Sequence, residues 1–228
     1  MLEQNRLVRV NLLGFDPAAA MDLTKICADR RGVSVTAREH IGGWSALEAP
    51  LNQAALEFAE EVCALFAPKA FVGEPFKRAI DLLKRRGETI SFAESCTGGL
   101  LAAHLTAIAG SSEVFEGSFV TYSNRLKSRW LGVQPQTLAA FGAVSEECVV
   151  QMASGAIAQS GADYALAISG IAGPSGGSAG KPVGTVFVGY ANKRGETYAE
   201  ALRLNGSRSL VRKQAVFHAL RLLLTRLS

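Results

Sequence analysis

The sequence predicts an α/β protein, a three-layer α/β/α sandwich around a mixed, mainly parallel sheet. From Phe76 onward, short runs rich in β-formers alternate with stretches of helical apolar periodicity, the pattern of strands joined by crossover helices. Late in the chain, the turn Asn192-Lys193-Arg194-Gly195 joins two such runs directly. That pair should be an antiparallel hairpin, adding antiparallel members to the sheet.

Taken in order, residues 1 to 72 read as an N-terminal extension of unknown role, and residues 73 to 228 as the main domain. In the extension, Leu7 to Leu13 has the composition of a strand, and Asn52 to Phe66 spaces Leu56, Ala59, Val62, Cys63 and Phe66 as an amphipathic helix does. The sequence between them looks irregular, so an accessory or poorly ordered leader is expected. The main domain opens with a helix bearing Phe76, Ala79, Ile80 and Leu83, ended by basic residues and Gly87. A strand at Thr89 to Ala93 follows, then helix-cap chemistry at Ser95 to Thr97, then a helix carrying Leu100, Leu101, His104, Leu105 and Ile108 up to Gly110.

Next come a strand at Ser118 to Tyr122, a short helix capped by Asn124 and ending at Gly132, and a longer helix from Ser145 to Gly161. Strands at Tyr164 to Ser169, Gly184 to Ala191 and Glu196 to Leu204 precede a final helix from Ser209, whose apolar face includes Val216, Ala219, Leu220 and Leu223. In open sheets of this kind, ligands bind outside the carboxyl ends of the strands. The loops expected there are Glu94 to Gly99, Tyr122 to Lys127 and Gly170 to Gly180.

Composition narrows the function classes. At 228 residues and 48% hydrophobic, the chain can bury a core unaided. Charged residues interrupt every apolar run before membrane-spanning length, and Glu3, Arg6 and Arg9 break the pattern of a signal peptide, so a cytoplasmic protein is expected. Cys27, Cys63, Cys96 and Cys148 are scattered without a C-x-x-C pair, which argues against zinc and disulfides; no metal and no cofactor is expected. His40, His104 and His218 read as packing or surface residues. Net charge is +4, and from Lys193 onward eight basic residues face two acidic ones, so anionic ligands are plausible. The basic run lacks aromatic interleaving and any nucleic-acid-binding motif, which favours a small phosphorylated molecule over nucleic acid.

Four segments can carry chemistry. In Glu94-Ser95-Cys96-Thr97-Gly98-Gly99, Ser95 sits after a strand at a helix mouth, where backbone N–H groups and the helix dipole can stabilise an oxyanion. Ser95 is therefore either a nucleophile or an N-cap. A nucleophilic serine needs a base, and neither G-x-S-x-G nor S-x-x-K surrounds it. In Tyr122-Ser123-Asn124-Arg125-Leu126-Lys127, Lys127 can be that base only if its environment lowers its pKa; otherwise it is an exposed helix residue. The segment Ser169 to Pro182, with Gly170, Gly173, Gly176 and Gly177, can cradle an anion but is not a Walker A loop, since Ser175 and Pro182 stand at required positions. Finally, Arg208 and Arg212 lie four apart at a helix start, able to meet one anion or to form a solvated basic face.

Together, Ala93 to Gly99 (AESCTGG), Ala109 to Phe115 (AGSSEVF), Phe119 to Lys127 (FVTYSNRLK), Gly142 to Glu146 (GAVSE), Ser169 to Ser178 (SGIAGPSGGS) and Lys181 to Val186 (KPVGTV) resemble the CinA C-terminal domain, the nicotinamide mononucleotide deamidase family. The resemblance covers roughly Phe76 to Leu227. It implies metal-free hydrolysis of the carboxamide of nicotinamide mononucleotide to nicotinate mononucleotide and ammonia, in pyridine nucleotide salvage. It further implies Ser95 as nucleophile, Lys127 as base, Tyr122 as a neighbour orienting them, and Thr97, Gly98 and Gly99 around the oxyanion. Arg208 or Arg212 and the Gly170, Gly173, Gly176 and Gly177 loop would contact the phosphate. A homo-oligomer, a dimer, is the expected assembly. The family pattern carries an aspartate where this chain has Ser207, a departure bearing on how Arg208 is oriented. Attack by Thr97 instead of Ser95 stays open, as do a Ser-Lys amidase for another phosphorylated amide and a non-catalytic nucleotide-binding or competence-associated interaction module.

Overall fold

A computed structural model describes residues 7–227; Glu3 and Arg6, used above against a signal peptide, lie outside the described residues. The described residues form two sheets. Strands β1 (Leu7–Leu12), β2 (Thr36–His40), β3 (Trp44–Pro50) and β4 (Ala70–Val72), with helices α1 (Pro17–Arg31) and α2 (Gln53–Leu65), build an antiparallel sheet of order β2-β3-β1-β4. This is the split β-α-β-β-α-β arrangement.

The expectation of irregular sequence between Leu13 and Asn52 is thus corrected: α1, β2 and β3 occupy it. Helix α1 has ordinary boundary chemistry, with Asp16 accepting from the Ala19 N–H at 2.9 Å, Pro17 in the first turn and Gly32 left-handed at φ 63°. Its apolar pattern is inverted. The buried positions are Ala20, Thr24 and Cys27, while Leu23 and Ile26 are exposed, so no apolar stripe marks the helix in the sequence.

The second sheet has the order β6-β5-β7-β8-β9, from β5 (Ile90–Glu94), β6 (Phe115–Val120), β7 (Tyr164–Gly170), β8 (Thr185–Asn192) and β9 (Thr197–Arg203). Strands β5, β6 and β7 are mutually parallel, and the β8-β9 hairpin closes the sheet in antiparallel pairing. Four of the five strands therefore run the same way. Helices α3 (Pro75–Arg86), α4 (Leu100–Thr106) and α8 (Arg208–Leu227) cover one face, and α5 (Asn124–Leu131), α6 (Pro135–Ala140) and α7 (Glu146–Ser160) the other, giving the predicted three layers. The short α6 was not anticipated. The cap of α5 is Ser123, which accepts from the Leu126 N–H, rather than Asn124.

The two units share a core. Strand alternation sends Val8, Val10, Leu12 and Leu47 toward α1 and α2, and turns Leu13, Trp44 and Phe71 toward α3 and α8. Trp44 is 1% exposed; its indole N–H donates to Asn11 Oδ1 at 2.9 Å, and its ring approaches Phe217 of α8. His40 stacks on Trp44 and His104 on Phe76, so both histidines are packing residues as expected. Among the described residues, no helix is long and apolar enough to cross a membrane.

Candidate active site

The carboxyl ends of β5, β6 and β7 converge, and each supplies one wall of the site. From the end of β5 the main chain continues into Ser95, whose N–H donates to the Ile168 carbonyl of β7 at 2.9 Å. From β6, Thr121 donates its N–H to the Glu94 carbonyl, and one turn into α5 the chain returns Lys127 toward β5. Lys127 is 1% exposed and donates from Nζ to Ser95 Oγ at 2.9 Å and to the Thr121 carbonyl at 2.7 Å. Burial is the main influence on this amine and holds its pKa below the ordinary lysine range. The sequence left Lys127 open as an exposed helix residue; its burial against Ser95 excludes that.

The neighbouring candidates separate. Thr97 is fully buried, and its hydroxyl has no partner among the described residues, so the lysine engages Ser95 and not Thr97. Cys96 is buried, and that burial pushes its thiol up to about 11, leaving it protonated at neutral pH.

Ser95 is no helix cap. The start of α4 is satisfied by Glu94, a residue the sequence reading did not single out. Its carboxylate, 0% exposed, accepts the N–H groups of Gly99 at 3.0 Å, Leu101 at 3.1 Å and Ala102 at 3.0 Å, and the Ser118 hydroxyl at 3.1 Å. The Gly98 N–H donates to the Ser95 carbonyl and the Leu100 N–H to that of Thr97. The positive end of α4 and the amides of Gly98 and Gly99, expected around the oxyanion, are therefore already engaged. The turn amides that donate to no main-chain carbonyl among the described residues are those of Cys96 and Thr97. No local motif announces this role of Glu94, because its partners come from a turn, a helix and a neighbouring strand.

The two arginines divide as well. Arg212 donates from Nε to the Cys96 carbonyl at 3.1 Å and from a terminal nitrogen to the Thr97 carbonyl at 2.5 Å, so it braces the turn. Arg208 reaches outward, donating to the Gly173 carbonyl at 2.7 Å and the Tyr122 hydroxyl at 3.1 Å. It has no acidic partner among the described residues. Position 207 does not set this orientation: the Ser207 hydroxyl turns to the Leu210 N–H of α8. Tyr122, expected to orient the serine and lysine, is 59% exposed and hydrogen-bonds to neither; the Thr121 carbonyl holds the lysine instead.

The glycine loop after β7 has packing reasons for its composition. A side chain at Gly173, where φ is +82°, would meet Val183 at 2.5 Å, and one at Gly177 would meet the Val183 backbone nitrogen at 2.7 Å. Gly170 is closed in by Val186 and Thr185, whereas Gly176 has room. Ser169 donates to the Ala143 carbonyl and Lys181 to the Phe141 carbonyl, tying this loop to the segment before α7.

Comparison with known proteins gives one consistent group. The family model of the CinA C-terminal domain matches residues 74–227. Nicotinamide-nucleotide amidohydrolase PncC of Escherichia coli (strain K12) is 55% identical over 141 residues, covering 62% of this chain and 86% of that protein. The protein of the same name from Enterobacter agglomerans is 51% identical over 138 residues, covering 60% and 84%. A CinA-like protein of Kosmotoga olearia is 49% identical over 142 residues, 62% of this chain but 34% of its own length. Among solved structures, the competence/damage inducible protein CihA from Agrobacterium tumefaciens matches with TM-score 0.65 and 45% identity, covering 66% of this chain and 92% of its own. A CinA superfamily protein from Enterobacter cloacae matches with TM-score 0.66 and 38% identity, covering 68% and 91%.

Proposed function

This chain belongs to the CinA C-terminal domain family, and from that premise we propose that it is a nicotinamide-nucleotide amidohydrolase working through Ser95 and Lys127. The observation that carries the reading is the 2.9 Å contact between Lys127 Nζ and Ser95 Oγ with the lysine removed from water. Burial favours the neutral amine, which can present its lone pair to the serine O–H while an N–H stays on the Thr121 carbonyl. Relatives named nicotinamide-nucleotide amidohydrolase, about half identical over the same region, supply the substrate class.

The reaction follows from these positions. Ser95 Oγ attacks the carboxamide carbon as its proton passes to Lys127, and the Cys96 and Thr97 amides receive the oxyanion. Collapse breaks the C–N bond, the lysine returns the proton to departing ammonia, and an ester remains on Ser95. The amine then takes a proton from water, whose oxygen attacks the ester to release the carboxylate and restore the serine. Arg208, with Tyr122 and the Gly173 loop, holds the 5′-phosphate, so binding energy remote from the amide orients the ring. Arg212 holds the turn rather than the phosphate. The product, nicotinate mononucleotide, places the enzyme in pyridine nucleotide salvage, and a nucleotide substrate agrees with a cytoplasmic location. Purified protein incubated with nicotinamide mononucleotide should release ammonia and nicotinate mononucleotide in equal amounts; no release from the wild-type protein would refute the assignment.

A further inference from the structure

Glu94 joins two parts of the site that the mechanism requires to stay in register. Its main chain is the last residue of β5, fixed between β6 and β7. Its side chain crosses the turn to the first amides of α4, with Gly99 and Leu101 on Oε2 and Ala102 and the β6 residue Ser118 on Oε1. One residue thus pins both ends of the segment that carries Ser95, and Arg212 holds the middle through the Cys96 and Thr97 carbonyls.

A fully buried carboxylate is costly to desolvate unless its lone pairs are filled, and here four donors fill them. The arrangement also decides which amides remain. With Gly99, Leu101 and Ala102 on Glu94, the helix start is closed to a substrate oxyanion, and the Cys96 and Thr97 amides are left for that task. Without the carboxylate, those helix amides would seek another acceptor, and the turn would lose its fixed distance from Lys127.

We propose that Glu94 is a positioning residue for the reacting serine: it takes up the amides at the start of α4 and so holds Ser95, Cys96 and Thr97 in line with Lys127. The proposal rests on the Ser95–Lys127 reading above. The phosphate contacts lie on other elements, at Arg208, Gly173 and Tyr122. Loss of Glu94 should therefore lower kcat with little change in KM.

The test uses the full chain with Glu94→Gln and Glu94→Ala. Each variant is measured for kcat and KM of ammonia release from nicotinamide mononucleotide, for the rate at which a sulfonyl fluoride modifies Ser95, and for thermal midpoint. Glutamine keeps one acceptor oxygen, enough for Gly99 and Leu101, and should lower kcat about tenfold, whereas alanine should lower it about a hundredfold. KM should stay within about threefold, and serine modification should slow in the same order as kcat. Should Glu94→Ala fail to fold, Glu94→Gln and the milder Ser118→Ala, expected to cost a few-fold in kcat, carry the test.

Folded Glu94→Gln with kcat and modification rate within twofold of wild type would overturn the proposal. So would losses that only track the unfolded fraction, or that appear in KM rather than kcat. If wild type releases no ammonia, the substrate assignment fails, while the modification rates still judge whether Glu94 positions Ser95.

Discussion

Replacing Lys127 with methionine separates catalysis from folding at this site. Methionine is unbranched and close in length to the lysine stem, so it should fill the same space, with Lys127 being 1% exposed. What it removes is the amine that meets Ser95 Oγ, the proposed proton acceptor, and the donor to the Thr121 carbonyl. Loss of a positioned general base should lower kcat by about 10² to 10⁴-fold, with KM nearly unchanged because no phosphate contact is touched. The orphaned Thr121 carbonyl costs about 1–3 kcal/mol, offset in part by no longer burying an amine. In a chain of this size the thermal midpoint should then fall by less than about 12 °C. Ammonia release at saturating mononucleotide and scanning calorimetry on the same preparation measure both. In wild type, the rate should rise with pH as Lys127 loses its proton, at a pH below the ordinary lysine range because of burial. A folded Lys127→Met variant retaining more than a tenth of the wild-type kcat would refute the role of the amine.

Arg208→Ala should raise KM for the mononucleotide about tenfold or more while leaving that for the ribonucleoside unchanged, as steady-state kinetics on both substrates will report. Equal effects on both would place the phosphate elsewhere. Trp44→Ala should lower the thermal midpoint by at least about 8 °C, from about 3–5 kcal/mol of lost packing plus about 1–3 kcal/mol for the Asn11 amide oxygen left unpaired. A shift under 2 °C, read by calorimetry, would mean that the first unit does not share the core. Burial holds both His40 and His218 near pKa 4, so each binds its proton more readily unfolded than folded. Stability should therefore be intact above about pH 6.5 and fall as pH drops toward 4, by roughly 2 kcal/mol in all after allowing for partial exposure. Thermal midpoints of wild type and His218→Gln across that range check the sign, the variant showing the smaller decline.

Much of the second unit was legible in the sequence because its periodicities are honest: Phe76, Ala79, Ile80 and Leu83 of α3 are all buried, and the β8-β9 hairpin follows the Asn192 to Gly195 turn. The first unit was not, since α1 buries small and polar residues and exposes Leu23 and Ile26. The boundary signals Asp16-Pro17 and Arg30-Arg31-Gly32 were present and sufficient to mark that helix. At the site, the types and order of Ser95 and Lys127 were readable, but the burial that lowers the lysine's pKa and seats it on Ser95 is a product of packing. The role of Glu94, and the turn carbonyls that Arg212 meets in place of an anion, were illegible for another reason. Arg212 meets carbonyls far away in the chain, and Glu94 gathers nearby amides together with a hydroxyl from another strand, pairings that leave no trace in local composition.

The most direct test of the Ser95–Lys127 mechanism is to look for the ester it requires. Wild-type protein mixed with nicotinamide mononucleotide, quenched in acid within its first turnovers and digested, should yield the Ser95 peptide carrying the acyl group of the substrate by mass spectrometry. Ser95→Ala should yield none and release no ammonia. Rapid ammonia release by Ser95→Ala, or an acyl group found on Thr97, would contradict the mechanism.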